Sequence, residues 1–216
     1  MKHRAVLFDL DGTLLNTLQD IANSVNKGLR QLGFPQHELD AYKYLVGEGR
    51  TVLATLALPE NHRDEVTIHN LLDYINEEYA LHWADNTRPY PGIPELLDAL
   101  SADGIKIAVL SNKADDLTKT NVSMMLSQWH FASIVGADSS VPNKPDPTSA
   151  LHIASHLNIK PAEFLYLGDS GIDMQTANRA GMYPIGALWG FRSTAELLDS
   201  GAKALIEHPL ELLKYL

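Results

Sequence analysis

The sequence Phe8-Asp9-Leu10-Asp11-Gly12-Thr13 joins a short apolar run to a pair of acidic residues and then to a glycine. The run itself, Ala5–Phe8, contains no polar residue, which is typical of a strand buried on both faces of a parallel sheet. Residues two apart in a strand point the same way, so Asp9 and Asp11 are expected to face one cavity where the strand ends. Asp-Gly is also a common turn signal, so an ordinary turn stays open at this point.

Apolar runs of this kind recur along the chain and alternate with helical patterns. Such alternation predicts an α/β fold, an open parallel sheet with right-handed crossovers and helices on both faces. The predicted strands are Ala5–Phe8, Ile105–Leu110, Ala132–Val135, Phe164–Leu167 and Pro184–Leu188. The predicted helices are Pro94–Ala102, Ala114–Ser127, Pro147–Leu157, Ile172–Ala180 and Thr194–Asp199.

One stretch, from about Thr17 to Thr87, shows no convincing strand. Its apolar residues recur at helical spacing, and Gly33-Phe34-Pro35 and Gly47-Glu48-Gly49 interrupt the pattern. We therefore predict a small all-helical cap domain over 17–87, inserted into an α/β core domain made of 1–16 and 88–216.

Composition excludes several classes of protein. The 216 residues carry 27 Asp and Glu against 17 Lys and Arg, a net charge of −10, which makes the chain a poor candidate for binding nucleic acid. It has no cysteine, so disulfides, thiolate metal sites and a catalytic thiol are excluded. No apolar run is long enough for a membrane span or a signal peptide, and we expect a cytoplasmic enzyme.

A second acidic pair follows the strand predicted at Phe164–Leu167. There Asp169 and Asp173 stand within Gly168-Asp169-Ser170-Gly171-Ile172-Asp173, where an ordinary helix cap is the simplest alternative. Carboxylates gathered at adjacent strand ends repel one another unless a cation is present. Hard oxygen ligands with room for water describe a Mg²⁺ site, and we predict that it involves Asp9, Asp11, Asp169 and Asp173.

Two further segments fit a phosphate group. Ser111 and Asn112 follow a predicted strand, where a hydroxyl and free backbone N–H groups can hold phosphate oxygens. Lys144 lies between prolines in Val141–Pro147, so its backbone is restricted, and it can pair with a phosphate oxygen or with an Asp. Taken singly, a polar strand end and a solvated lysine are the alternatives.

In their order along the chain, these four segments resemble the motifs of the haloacid dehalogenase-like hydrolase superfamily. Asp9–Thr13 looks like its first motif, Ser111 its second, Lys144 its third and Gly168–Asp173 its fourth, and the resemblance runs essentially end to end. It implies a Rossmann-like core with a helical cap. The dehalogenase and phosphonatase branches lack an Asp at the place of Asp11, so the resemblance implies phosphoryl transfer.

Leu45–Gly49 and Trp189–Arg192 look similar to the phosphoglycolate phosphatase-like group. We therefore expect a Mg²⁺-dependent phosphatase that hydrolyses a small phosphate monoester through an aspartyl-phosphate. A phosphomutase of the β-phosphoglucomutase type and a pyrophosphatase are the alternatives. The expected partner is a small phosphorylated metabolite, with no nucleic acid or membrane, and the chain is expected to be a monomer or homodimer.

The expected roles of the site residues follow from this interpretation. Asp9 attacks phosphorus, Asp11 serves as acid and base, and Ser111, the Asn112 backbone and Lys144 hold the phosphoryl oxygens. In the cap, Arg50 is the best candidate for binding a substrate carboxylate, and Glu48 and Lys43 are further candidates for recognising the organic part of the substrate. For all three residues, solvated surface charges are the simpler interpretation. Outside catalysis, a signalling receiver module or a non-catalytic binding protein would also carry an acidic cluster.

Overall fold

The computed structural model describes residues 3–138 and 140–216, and the chain forms two compact units. One unit comprises Met1–Leu15 and Pro89–Leu216, and the other comprises Asn16–Arg88. The strands are β1 Ala5–Phe8, β2 Leu15–Asn16, β3 Arg88–Pro89, β4 Lys106–Ala114, β5 Ser133–Ala137, β6 Phe164–Gly168, β7 Tyr183–Ala187 and β8 Ala204–Ile206. The helices are α1 Leu18–Gln31, α2 Leu39–Leu45, α3 Arg50–Ala57, α4 Glu65–His82, α5 Ile93–Ala102, α6 Asp115–Met125, α7 Thr148–His156, α8 Gly171–Ala180 and α9 Thr194–Asp199.

The first unit is built on a six-stranded parallel sheet in the order β5-β4-β1-β6-β7-β8. Strand β1 lies between β4 and β6, with Phe8 opposite Val109 on one side and Leu167 on the other. The strand order reverses at β1, which is where open α/β sheets bind their ligands. The predicted α/β fold is confirmed.

Helices cover both faces of this sheet. Val6 and Phe8 of β1 pack in one apolar cluster with residues of α5 and α6, whereas Ala5 and Leu7 pack in a second cluster with residues of α7 and α8. The alternation along four consecutive residues places every side chain of β1 in a core. This explains why the strand carries no polar residue.

The two largest differences between the structure and the sequence prediction within this sheet concern β8 and β4. Strand β8 was not predicted, because Ala204–Ile206 is too short to give a pattern of its own. Strand β4 was predicted to end at Leu110, but it continues to Ala114. After a shift of register beyond Leu110, Ala114 pairs with Ala137 of β5, which keeps the backbone extended through Ser111 and Asn112.

The second unit contains α1 to α4 and no long strand. Helix α1 packs closely on α4 at Gly28, where a Cβ atom would lie 2.8 Å from a methyl carbon of Leu71. One carboxylate, that of Asp20, is buried in this unit and accepts hydrogen bonds from the backbone N–H groups and side chains of Asn86 and Thr87. None of the helices among the described residues is long and apolar enough to cross a membrane.

Candidate active site

The end of β1 turns sharply, and the turn fixes Asp9 and Asp11. The backbone N–H of Asp9 donates to the carbonyl oxygen of Leu167, so the sheet pairing continues one residue beyond β1. The carbonyl of Leu10 then accepts from three successive N–H groups, and Gly12 adopts a φ of 89°, which favours glycine. The first acidic pair is therefore held by backbone contacts.

Three carboxylates from different parts of the chain meet at this edge of the sheet. Asp9, Asp169 and Asp173 are all buried, and each offers one oxygen atom that lies within 4.8 Å of the others. Asp11 is not a member of this group, because its carboxylate turns to Lys113. The predicted part of Asp11 in a metal site stays a prediction.

Lys144 supplies a positive charge inside the acidic group. Its Nζ donates to Asp9 Oδ1 and to Asp173 Oδ1, both at 2.7 Å, and the side chain is only 4% exposed. Burial alone would lower the pKa of Lys144, but Asp173 and Asp9 outweigh it and hold that pKa well above its usual range. Lys144 is therefore an ammonium ion at neutral pH.

Asn112 determines where Lys144 lies. Its side-chain amide donates to the carbonyl oxygen of Lys144 at 3.1 Å and accepts from the backbone N–H of Lys144 at 2.9 Å. These two reciprocal bonds attach the lysine loop to the end of β4. The sequence assigned only the Asn112 backbone to the site, and the structure adds this positioning role for its side chain.

Two glycines leave room for Asp169. A Cβ atom on Gly12 would lie 2.4 Å from an oxygen of Asp169, and one on Gly190 would lie 2.1 Å from its Cβ. The close approach lets the backbone N–H of Phe191 donate to Asp169 Oδ2 at 2.7 Å, while the Thr13 hydroxyl donates to Oδ1 at 3.0 Å. Sequence reasoning assigned no role to these contacts.

Asp173 lies in the first turn of α8 and is held by a capping box. One of its oxygens accepts from the backbone N–H and the hydroxyl of Ser170, while the Ser170 hydroxyl caps α8 at the N–H of Asp173. The helix cap considered from the sequence is therefore present. It coexists with the contact to Lys144 instead of replacing it.

The electrostatics of the group favour a cation. Burial raises the pKa of Asp9 well above its usual range, with Asp173 and Asp169 adding to the effect of burial and Lys144 opposing it. Burial and the neighbouring Asp173 raise the pKa of Asp169 to about 7. One ammonium ion is thus too little positive charge for three buried carboxylates, and their oxygen-only donor set fits a hard divalent cation.

The remaining predicted residues fall into two places. Ser111 is buried on β4, next to β1, and its hydroxyl accepts from the backbone N–H of Lys113 at 3.2 Å. Arg50 lies in the helical unit, where it is exposed and donates to the side chain of Asn76 at 3.1 Å. In the same unit Lys43 pairs with Asp40 at 2.8 Å and Glu48 is exposed. Their part in substrate recognition stays a prediction.

Comparison with known proteins agrees with this site. The family model for haloacid dehalogenase-like hydrolases matches residues 6–187, which extends from β1 to the end of β7. A phosphoglycolate phosphatase from Aquifex aeolicus is 35% identical over 192 residues, covering 87% of this chain and 86% of that protein. One from Nitrosospira multiformis is 30% identical over 214 residues, covering 98% and 94%.

Solved structures lead to the same family. A candidate phosphoglycolate phosphatase from Lactobacillus delbrueckii subsp. bulgaricus superimposes with a TM-score of 0.92 at 29% identity, covering 98% of this chain and 97% of the other. The resemblance inferred from the four motifs is thus confirmed. The chain belongs to the haloacid dehalogenase-like hydrolases, and within that family it is an enzyme of the phosphatase type.

Proposed function

We propose that the protein is a Mg²⁺-dependent phosphatase that forms an aspartyl-phosphate on Asp9, and that its substrate is phosphoglycolate or a closely similar small phosphate monoester. The observation that supports the reaction most directly is Lys144, whose ammonium group lies 2.7 Å from both Asp9 and Asp173 beside Asp169. A phospho-accepting carboxylate needs such positive charge, because it must approach a dianionic phosphate.

Asp9 is the nucleophile in this proposal. Its carboxylate attacks phosphorus in line with the leaving oxygen, and the phosphoryl group passes to Asp9 before water hydrolyses the intermediate. Lys144 stabilises the ionised form of Asp9 and counters the charge of the phosphoryl oxygens. Asn112 keeps that ammonium in place through its two bonds to the Lys144 backbone.

Asp9, Asp169 and the Asp11 carbonyl would hold the Mg²⁺ ion, with Asp173 beside them. When bound, the ion neutralises the repulsion between the carboxylates and the phosphoryl group. Ser111 Oγ and the backbone N–H of Asn112 are proposed to bind phosphoryl oxygens at the end of β4. Asp11 is proposed to protonate the leaving oxygen and then to take a proton from the attacking water.

The choice of substrate rests on the relatives. Phosphoglycolate phosphatases align over nearly the full length of this chain at 30% identity or more. Phosphoglycolate carries a carboxylate beside its phosphate ester, for which a guanidinium is a well-matched partner. Arg50 in the helical unit is our candidate for that partner, and Arg50→Ala should raise the KM for phosphoglycolate more than the KM for phosphate esters that lack a carboxylate.

Phosphate release from a panel of phosphorylated metabolites, with and without Mg²⁺, tests the proposal. We expect Mg²⁺-dependent release from phosphoglycolate at a higher kcat/KM than from hexose phosphates, nucleotides or pyrophosphate. A preference for pyrophosphate, or turnover only in the presence of a sugar bisphosphate activator, would replace the proposal by one of its alternatives. Arg50→Ala with unchanged KM for every ester would remove Arg50 from it.

A further inference from the structure

A second lysine lies beside the first acidic pair, and the reaction described above does not use it. Lys113 is two residues beyond Ser111 on β4, and its Nζ donates to both carboxylate oxygens of Asp11, at 3.0 and 3.1 Å. The two side chains are only 7% and 12% exposed. The pair joins the ends of β1 and β4, which are far apart in the sequence.

The backbone of Lys113 is fixed on both sides. Its N–H donates to the hydroxyl of Ser111 at 3.2 Å, and its carbonyl accepts from the hydroxyl of Thr118 at 3.1 Å. On β5, Gly136 leaves no room for a side chain, since a Cβ atom there would lie 2.7 Å from the Lys113 carbonyl oxygen. The backbone that carries this ammonium group is therefore fixed at the end of β4.

Asp11 is equally constrained. It lies in the turn that Gly12 closes by donating from its N–H to the carbonyl of Leu15 at 2.9 Å, and Asp11 itself forms an isolated bridge with Leu15. Two fixed backbones and a contact to both carboxylate oxygens make the Asp11–Lys113 pair unlike a surface ion pair, whose side chains move freely.

Stability does not account for this pair. Taking two charges out of water carries a large free-energy penalty, and their attraction often does no more than offset it. Apolar pairs of similar size often stabilise a fold as well as a buried ion pair does. A charged pair at the ligand-binding edge of the sheet therefore calls for a chemical reason.

We propose that Lys113 is a positioning residue that fixes the carboxyl group of Asp11 for proton transfer, an inference that rests on the proposed function. In the first step a bond forms between Asp9 and phosphorus, the bond from phosphorus to the leaving oxygen breaks, and the proton of Asp11 passes to that oxygen. The carboxylate left on Asp11 is stabilised by Lys113, which keeps its own protons.

The second step uses the same arrangement. Water attacks phosphorus, its proton passes to Asp11, and the bond between Asp9 and phosphorus breaks to release inorganic phosphate. Lys113 holds Asp11 at the same place for both transfers, and positioning of this kind is a large part of what enzymes contribute to rate.

The dependence of the rate on the leaving group tests the inference. A nitrophenolate leaves without being protonated, whereas the alkoxide of an alkyl phosphate requires a proton. In Lys113→Ala we expect the first-turnover rate constant for phosphoglycolate to fall by about 10²-fold, and that for p-nitrophenyl phosphate to fall by less than about threefold. Measuring the first turnover separates this step from hydrolysis of the aspartyl-phosphate.

Two variants serve as controls. Lys113→Arg, whose guanidinium also binds both oxygens of a carboxylate, should recover the phosphoglycolate rate to within about tenfold of the wild type. Lys119→Ala removes an exposed lysine of α6 that pairs with Asp115 at 2.6 Å, and it should leave the first-turnover rate constants for both substrates unchanged. Should Lys113→Ala fail to fold, Lys113→Met keeps a side chain of similar size without the charge and allows the same comparison.

Coupling between the two residues gives a second readout. If Lys113 acts through Asp11, adding Lys113→Ala to Asp11→Asn should slow the phosphoglycolate reaction by less than about threefold more. Equal losses on both substrates, or effects that multiply in the double variant, would overturn the role of Lys113 and leave the proposed function intact. A wild-type protein that releases no phosphate from any ester with Mg²⁺ would overturn both.

Discussion

Buried carboxylates occur in both units of the molecule, and their surroundings differ. In the helical unit, Asp20 is surrounded by neutral donors, since two backbone N–H groups, an amide and a hydroxyl of Asn86 and Thr87 point at its oxygens. In the α/β unit, Asp9, Asp169 and Asp173 are placed against one another. These hydrogen bonds suffice to keep the Asp20 carboxylate buried, whereas the three carboxylates of the triad need positive charge to offset their repulsion. The comparison separates a carboxylate that stabilises the fold from the three carboxylates that we propose act in catalysis.

The largest expected effect is the loss of the nucleophile. Asp9→Asn should lower phosphate release by at least about 10⁴-fold, because an amide cannot accept the phosphoryl group. At the same time the metal-free variant should be at least as stable as the wild type, since one member of a repulsive group becomes neutral. Steady-state phosphate release and thermal unfolding measure the two quantities. A metal-independent, active Asp9→Asn variant would remove the difference between the two kinds of carboxylate.

The next effect concerns the position of Asp169. In Gly190→Ala the added Cβ would lie 2.1 Å from Asp169 Cβ, so the segment must move and take the Phe191 N–H away from the carboxylate. Displacements of this size cost about 10²-fold in rate. Gly104→Ala is the control, because a Cβ at Gly104 meets no atom within 4 Å. The φ of 68° at Gly104 favours glycine, so this variant should lose some stability but keep its kcat/KM. Similar kcat/KM values for the two variants would contradict the argument.

In the helical unit the expected effect is on stability. Asp20→Ala leaves the donors of Asn86 and Thr87 without their acceptor and should lower the free energy of unfolding by about 3 kcal/mol. The folded variant should still hydrolyse small phosphate esters at a kcat close to that of the wild type. Asp73→Ala, which removes an exposed carboxylate of the same unit, is the control in denaturant titration. A folded Asp20→Ala protein without turnover would show that Asp20 is more than structural.

The smallest effect is the pH dependence of stability without metal. The pKa of Asp169 is about 7 in the folded protein, against about 4 in an unfolded chain. Between pH 4 and pH 7 the folded state keeps a proton on Asp169 that the unfolded state has lost. The contribution of this proton to the free energy of unfolding is therefore present at low pH and is lost as pH rises through 7.

We therefore expect the metal-free wild type to lose about 1–2 kcal/mol relative to Asp169→Asn between pH 5 and pH 7.5. Mg²⁺ should raise the melting temperature of the wild type more at pH 7.5 than at pH 5, because at pH 5 it competes with protons. Thermal unfolding at both pH values, with and without Mg²⁺, checks this. A stabilisation by Mg²⁺ that is larger at pH 5 would contradict it.

The sequence was sufficient to predict five of the six strands of the sheet and the acidic residues that meet at its edge, because both depend on short-range patterns. The apolar run Ala5–Phe8 and the acidic residues that follow it can be read within one segment, and parallel strands bring their carboxyl ends to one edge. The same holds for Asp169 and Asp173 after β6. These are properties of strand periodicity and of strand ends.

What the sequence did not predict depends on register and close approach between distant segments. The pair Asp11–Lys113 requires that β4 continue past Leu110, where it pairs with β5, and the pattern of apolar residues does not indicate this. The need for glycine at position 190 becomes apparent only in the structure, where Asp169 lies against Gly190. The prolines around Lys144 indicated a fixed backbone, but the contact with Asn112 that fixes it is visible only in three dimensions.

The short strands β2 and β3 pair with each other, and the boundary between the two units runs through both. The chain therefore enters and leaves the helical unit at two points that the pairing of β2 with β3 holds close together in space. Segments inserted in this way can be exchanged or lengthened with little disturbance to their host, since the ends stay where they were. Selection can thus remodel residues 16–88 while residues of the α/β unit, Asp9, Lys144 and Asp169 among them, are inherited unchanged.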